Sequence, residues 1–201
     1  MRFPLPPYIV IDITEDAPVD VKKYVLRKIR RLGIPRLEND RIGVTIRVSM
    51  PGALDKRSKH GGLHVTGERE VLKRVIEKYE QYKPEGKIIV QHTVDARCSG
   101  TILKESNCIT VEAILGDAPP LLEGRAIDYE TWVLGSYYRR WKKERTYIRA
   151  GKEMTVLTFE DIETLKNYVK TLDSNTYLEW SIAKNGEAYF YEYFKLQEEM
   201  K

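Results

Sequence analysis

Leu178-Glu179-Trp180-Ser181-Ile182-Ala183-Lys184-Asn185-Gly186-Glu187-Ala188-Tyr189-Phe190-Tyr191-Glu192 reads as two strands joined by a Lys-Asn-Gly turn. Asn-Gly supplies the positive φ angles that a tight hairpin needs. Folding at Asn185-Gly186 brings Glu179, early in the first strand, close to Glu192 near the end of the second. Two strand-borne carboxylates with no cation between them repel. Two arrangements are open: both side chains face water on an ordinary hairpin, or they hold a divalent metal. Mg²⁺ with a nucleotide suits a few oxygens on a rigid sheet. Trp180 follows Glu179 and so points to the opposite face, where it is predicted to fill the layer beneath a helix over Thr158–Leu172.

That helix opens with Thr158 and Asp161, a capping-box variant. Upstream, Tyr8–Ile13 reads as an apolar strand introduced by prolines. Val19–Leu32 reads as an amphipathic helix, with Val21, Tyr24, Val25, Ile29 and Leu32 at helical spacing and a stop at Gly33 and Pro35. Strands are predicted over Gly43–Ser49, Leu63–Val65 and Lys87–Val94, with a helix over Glu68–Tyr82 and a glycine-containing loop from Met50 to Gly62. Gly100–Leu103 and Cys108–Ala113 form a hairpin, Pro119–Gly124 a short loop or helix, and Thr131–Ser136 a strand. This order predicts an α+β fold with mixed, largely antiparallel sheets.

The chain has 201 residues, a net charge of +4 and 32% charged residues. Its length allows one good core or two small lobes. Many Lys, Arg and Glu point to a heat-adapted source. So small a net charge establishes neither a nucleic-acid nor a membrane partner. The amino end is too short and proline-rich for a signal peptide, and no run is long enough to span a membrane, so a cytoplasmic location is expected. Cys98 and Cys108 either pair across a hairpin or stay reduced, and their spacing argues against structural zinc.

Glu179-Trp180-Ser181-Ile182 with Gly186 to Glu192 resembles the closing segment of the ATP-grasp nucleotide-binding domain of phosphoenolpyruvate synthase and pyruvate phosphate dikinase. That segment runs close to Asp-Ile-Glu-Trp-Ala, a turn, then Leu-Tyr-Ile-Leu-Gln-x-Arg-Pro. The resemblance makes Glu179 a metal ligand, puts Glu192 at the family's Gln, and puts Phe194 where the family has a phosphate-binding Arg. Val44–Ser49 resembles the family's Ala-Val-Arg-Ser-Ser strand, which makes Arg47 a phosphate ligand. Lys56, Lys59, Gly61 and Gly62 fall in the loop that folds over the triphosphate. Gly86–Gly100 resembles the strand leading into the adenine hinge, so Gln91, His92 and Val94 are expected beside the base. Glu112, in a segment like Ile-Glu-Ala-x-x-Gly-Leu-Gly-Glu, is offered to the nucleotide as well.

The resemblance therefore implies a two-lobed ATP-grasp-like unit, with residues 1–86 as the amino-terminal lobe and 87–201 as the carboxy-terminal lobe. It implies ATP and Mg²⁺ as cofactors and a phosphotransferase or ligase activity, with Arg47, Glu179 and Glu192 carrying the chemistry. The acceptor is expected on a separate phosphohistidine-type protein or a small molecule, because no phosphohistidine domain or phosphoenolpyruvate barrel is recognisable. The departures are Phe194 for Arg, no Lys in the first strand, and Leu103-Lys104-Glu105-Ser106-Asn107 for the usual Phe-Thr-Arg-Asp-Pro. They support an alternative, a non-catalytic regulatory or assembly subunit. A third reading is a nucleic-acid module through the basic and aromatic stretch 137–149. Its plainer explanation is an amphipathic connector with Lys and Arg stems lying over aromatic rings.

Overall fold

The computed structural model describes residues 3–13, 20–34, 43–49, 63–82, 85–122, 124–126, 128–135 and 141–195. Contacts divide the chain into two compact units, Pro6–Thr93 on one side and Met1–Leu5 with Val94–Lys201 on the other.

The unit Pro6–Thr93 contains β1 (Tyr8–Ile13), α1 (Val21–Leu32), β2 (Val44–Ser49), β3 (Leu63–Val65), α2 (Glu68–Gln81) and β4 (Gly86–His92). The strands form an antiparallel sheet in the order β1-β4-β2-β3. The Asp20 carboxylate accepts the Lys23 amide and starts α1, and Gly33 ends it at φ 69°. Val25 and Ile29 of α1 and Val71, Val75 and Tyr79 of α2 bury against Ile11, Val44, Ile46, Ile88 and Val90. Both helices therefore cover one face, and alternation leaves Thr45, Arg47 and Gln91 on the other. The sequence boundary before Lys87 is corrected here. β4 hydrogen-bonds to both β1 and β2, so it belongs inside this sheet and the division falls after Thr93.

The other unit contains β5 (Ala96–Lys104), β6 (Cys108–Leu115), α3 (Pro119–Leu122), β7 (Glu130–Gly135), β8 (Lys142–Arg145), β9 (Tyr147–Arg149), β10 (Lys152–Met154), α4 (Phe159–Val169), β11 (Thr176–Ala183) and β12 (Ala188–Lys195). Six of its strands form one sheet in the order β12-β11-β5-β6-β7-β8, and β9 and β10 form a separate ribbon. The fold is α+β with antiparallel sheets. Ile162, Leu165 and Val169 of α4 pack with Cys98, Ile102, Val111, Leu178, Trp180 and Phe190. Thr158 and Asp161 form the predicted capping box, and Arg97 ties Asp161 at 2.7 Å. Phe3 stacks its edge on Phe190 with centroids 5.0 Å apart, and the Phe190 amide donates to Pro4. Those contacts hold the first residues on this unit.

The stretch 137–149 departs from the connector reading, since Lys142–Arg145 and Tyr147–Arg149 are strands. β8 lies at the sheet edge, where charged side chains are compatible with pairing and the alternation signal is lost. Cys98 and Cys108 are both free, because β5 sets Cys98 opposite Leu115 while β6 sets Cys108 opposite Gly135. Among the described residues no helix is long and apolar enough to cross a membrane.

Glu130 has no exposed surface, yet its carboxylate is fully engaged. It accepts the Trp132 indole N–H, the Lys143 ammonium at 3.0 Å, and the amides of Val156 at 3.1 Å and Leu157 at 3.2 Å. A buried carboxylate is tolerated when paired and hydrogen-bonded in this way. The result pins the lead-in to α4 against β7 and β8.

Glu130→Ala should therefore cost roughly 3–5 kcal/mol in denaturant unfolding, because it strands the Lys143 charge and two amides. Glu130→Gln, which keeps an acceptor, should cost less. Trp180→Ala should also cost about 3–5 kcal/mol as a large core truncation. An unchanged midpoint would contradict its complete burial. Burial pushes the Cys98 thiol from 9.0 up to about 12. A thiol reagent at mild alkaline pH should label half-buried Cys108 and spare Cys98 until the protein unfolds. Between the unfolded and folded values the unfolded thiol releases its proton and the folded one keeps it. Stability is thus intact below pH 9 and falls by roughly 1 kcal/mol per pH unit above it through this group.

Candidate functional site

Alternation along β11 sends Leu178, Trp180 and Ile182 into the core and Tyr177 and Glu179 to the opposite face. On that face Glu179 lies directly opposite Glu192 of β12 and, on its other side, opposite Thr101 of β5. Thr101 in turn lies opposite Glu112 of β6. One row across four neighbouring strands therefore reads Glu192, Glu179, Thr101, Glu112. With strands about 4.8 Å apart, the Glu112 backbone lies about 10 Å from that of Glu179.

The register shifts between Glu179 and Trp180, whose partners are Glu192 and Phe190, so Tyr191 is an extra residue. Such a bulge bends the strand and re-aims its neighbours, and bulges concentrate beside active sites. Two hydroxyls steer the row's carboxylates. Tyr177 donates to Glu179 Oε1 at 3.3 Å and Thr101 donates to Glu112 Oε2 at 3.2 Å. Sequence reading missed both donors, although the period-two spacing of Tyr177 and Glu179 carried the signal for one of them.

Among the described residues no three or more His, Cys, Asp or Glu side chains converge into a metal cage. The oxygen-only donor set nevertheless fits Mg²⁺, which commonly takes one or two carboxylates and completes its shell with water and substrate phosphates. For Glu192 the backbone register alone is described.

In the smaller unit Arg47 lies on the sheet face away from α1 and α2, opposite Ile89, and Gln91 lies opposite Thr45 on the same face. The Thr45 and Thr93 hydroxyls are 3.1 Å apart, and His64 Nδ1 is 3.0 Å from Thr93. The His92 ring is turned the other way, with Nε2–H donating to the Gly33 carbonyl at 2.7 Å while its amide donates to Pro7. It ties β4 to the end of α1. Val94 begins the next unit. Lys56, Lys59, Gly61 and Gly62 lie outside the described residues.

The basic stretch is met by partners of its own. Lys142 pairs with Glu144 at 2.9 Å, Lys143 with buried Glu130 at 3.0 Å, and Arg145 lies 3.9 Å over the Tyr129 ring. Residues 137–140 of that stretch lie outside the described residues.

No family model and no curated protein matches the chain. Among solved structures it is similar to D-alanyl-alanine synthetase A from Vibrio cholerae, with 11% identity and a TM-score of 0.47 over 96% of this chain and 50% of that one. It is similar to the D-alanine-D-alanine ligase from Coxiella burnetii, with 12% identity and a TM-score of 0.47 over 95% of this chain and 42% of that one. A third is a RiPP-associated ATP-grasp ligase from Chryseobacterium gregarium in complex with ADP and a leader and core peptide, with 12% identity and a TM-score of 0.44. That match covers 95% of this chain and 47% of the ligase. The chain spans half the length of these structures or less.

Proposed function

We propose that the chain is an ATP-grasp-type protein that binds ATP with Mg²⁺ and supports phosphoryl transfer or ligation. The observation that carries this reading is Glu179, on the sheet face away from α4 and in one row with Glu112, directly opposite Glu192 in the backbone register at a bulge. In this reading Glu179 and Glu192 hold the cation, and Tyr177 orients Glu179 through its hydroxyl. When bound, Mg²⁺ neutralises the charge that phosphate oxygens develop. Arg47, whose guanidinium presents a planar fork of donors, is suited to bridge two phosphate oxygens. Lys56 and Lys59 add charge to the phosphate loop, and the strand end Gln91–Val94 lies beside adenine.

The acceptor in this reading is supplied separately, as a small molecule or as a protein group such as the phosphohistidine used by phosphoenolpyruvate synthase-like systems. Phe194 at the position of the family's phosphate-binding Arg favours a second reading, nucleotide binding without turnover. Release of ADP or AMP on incubation with Mg·ATP separates the two.

Millimolar ATP with Mg²⁺ should raise the melting temperature, as any ligand of the folded state does. The double variant Glu179→Gln/Glu192→Gln should abolish that rise while keeping the unliganded melting point within a few degrees. No rise for the parent protein would sink the reading. Arg47→Lys keeps the charge and loses the fork, so it should weaken ATP more than adenosine, by about 1–3 kcal/mol. Equal weakening of both ligands would remove Arg47 from the phosphates.

A further inference from the structure

The net charge of +4 conceals a segregation. α1 carries Lys22, Lys23, Arg27, Lys28, Arg30 and Arg31 and no acidic residue. Six positive charges in this helix against +4 overall leave the rest of the chain at −2. Its neighbour α2 is built differently, alternating Glu with Lys and Arg and bonding Arg74 to both Glu70 and Glu77. That is how an exposed helix ordinarily stabilises itself. In α1 the pairs Lys23–Arg27 and Arg27–Arg31 are like charges four apart, which destabilises a helix. Lys22, Lys23, Arg27 and Arg31 are exposed, and no carboxylate pairs with them among the described residues. Arg30 has an exposed partner in Glu68 at 3.2 Å, and Lys28 leans over Tyr24 toward the Val10 carbonyl.

At about 100° per residue, Lys23, Arg27, Arg30 and Arg31 fall within one stripe, which is about 12 Å long at 1.5 Å per residue. One strand of a B-form duplex carries a phosphate every 3.4 Å, so about 12 Å of it offers three to four charges. The stripe bears no aromatic residue, and Tyr24 lies under Lys28, so nothing in it stacks an unpaired base. It has no Asn or Gln to read an adenine edge, and its long cations match the phosphate spacing.

We infer that the exposed face of α1 docks the sugar-phosphate backbone of a nucleic-acid duplex, without regard to base sequence. Charge complementarity selects this occupant, and the like-charge repulsion within the free helix is relieved by bound phosphates. The face is distinct from the one that carries Arg47, because α1 covers the opposite side of that sheet.

Fluorescence anisotropy with short mixed-sequence DNA and RNA duplexes tests this. Both should bind, and affinity should fall roughly a hundredfold between about 50 and 200 mM salt, as four phosphate contacts require. The triple variant Lys23→Gln/Arg27→Gln/Arg31→Gln should lose at least tenfold at low salt and flatten the salt slope by about 3. Its melting temperature should hold or rise, since like charges are removed. Arg27→Glu, which places a carboxylate four residues from both Lys23 and Arg31, should stabilise the helix and still weaken binding. Absence of binding at low salt, or an unchanged slope in the triple variant, would overturn the assignment. So would polyglutamate binding as tightly as duplex, which would give the stripe to an acidic protein partner.

Discussion

Trp180 lies opposite Gly100, and the rest of the larger sheet depends on that contact. A Cβ on Gly100 would come within 1.8 Å of the Glu112 carbonyl and 2.8 Å of Trp180 Cζ2. Only glycine leaves room for a fully buried indole at that point. Slipping β11 by one residue would bring the indole to the opposite face and Glu179 into the core, which no partner there could compensate. The core contact and the acidic row are thus two sides of one register. The indole N–H has no hydrogen-bond partner among the described residues, so shape and area hold Trp180 in place.

Glu130 does for the margin of this unit what Trp180 does for its centre. Its carboxylate gathers a partly exposed lysine, an indole and two buried amides. Apolar packing could not orient the turn before α4 so narrowly, because hydrogen bonds are directional and dispersion is not. With the capping box next to it, the first turn of α4 is held from both sides.

Both units share a logic of one apolar, helix-covered sheet face and one face that carries polar side chains. α1 and α2 bury the apolar side of the smaller sheet, and α4 buries that of the larger. Alternation then places Arg47 in one unit, and Glu179 and Glu112 in the other, on faces that carry polar side chains. Charge follows the same partition. The polar face of the larger sheet carries Glu179 and Glu112, while α1 carries six basic residues and no acidic one.

Much of this was legible in the residues themselves. Asn185-Gly186 determined the closing hairpin, Thr158 with Asp161 determined the start of α4, and the spacing of Val25 and Ile29 determined the buried side of α1. These are local signals, in which a turn, a cap or a period is written within a few neighbouring positions. The hairpin also predicted that Glu179 and Glu192 would come near each other, but the turn register alone sets Glu179 opposite Tyr191, and only the bulge at Tyr191 moves Glu192 into that position. Only tertiary structure decided that Thr101 and Glu112 join their row, since β5 reaches β11 through a pairing between residues far apart in the chain and β6 follows through its own local hairpin with β5. Glu130 escaped sequence reading for the same reason. A lone carboxylate in a strand resembles any surface acid until Lys143, Val156 and Leu157 close around it. The end of the first unit was misplaced because an apolar run marks β4 as a strand but does not say which sheet it joins. That was decided by its hydrogen bonds to β1 and β2.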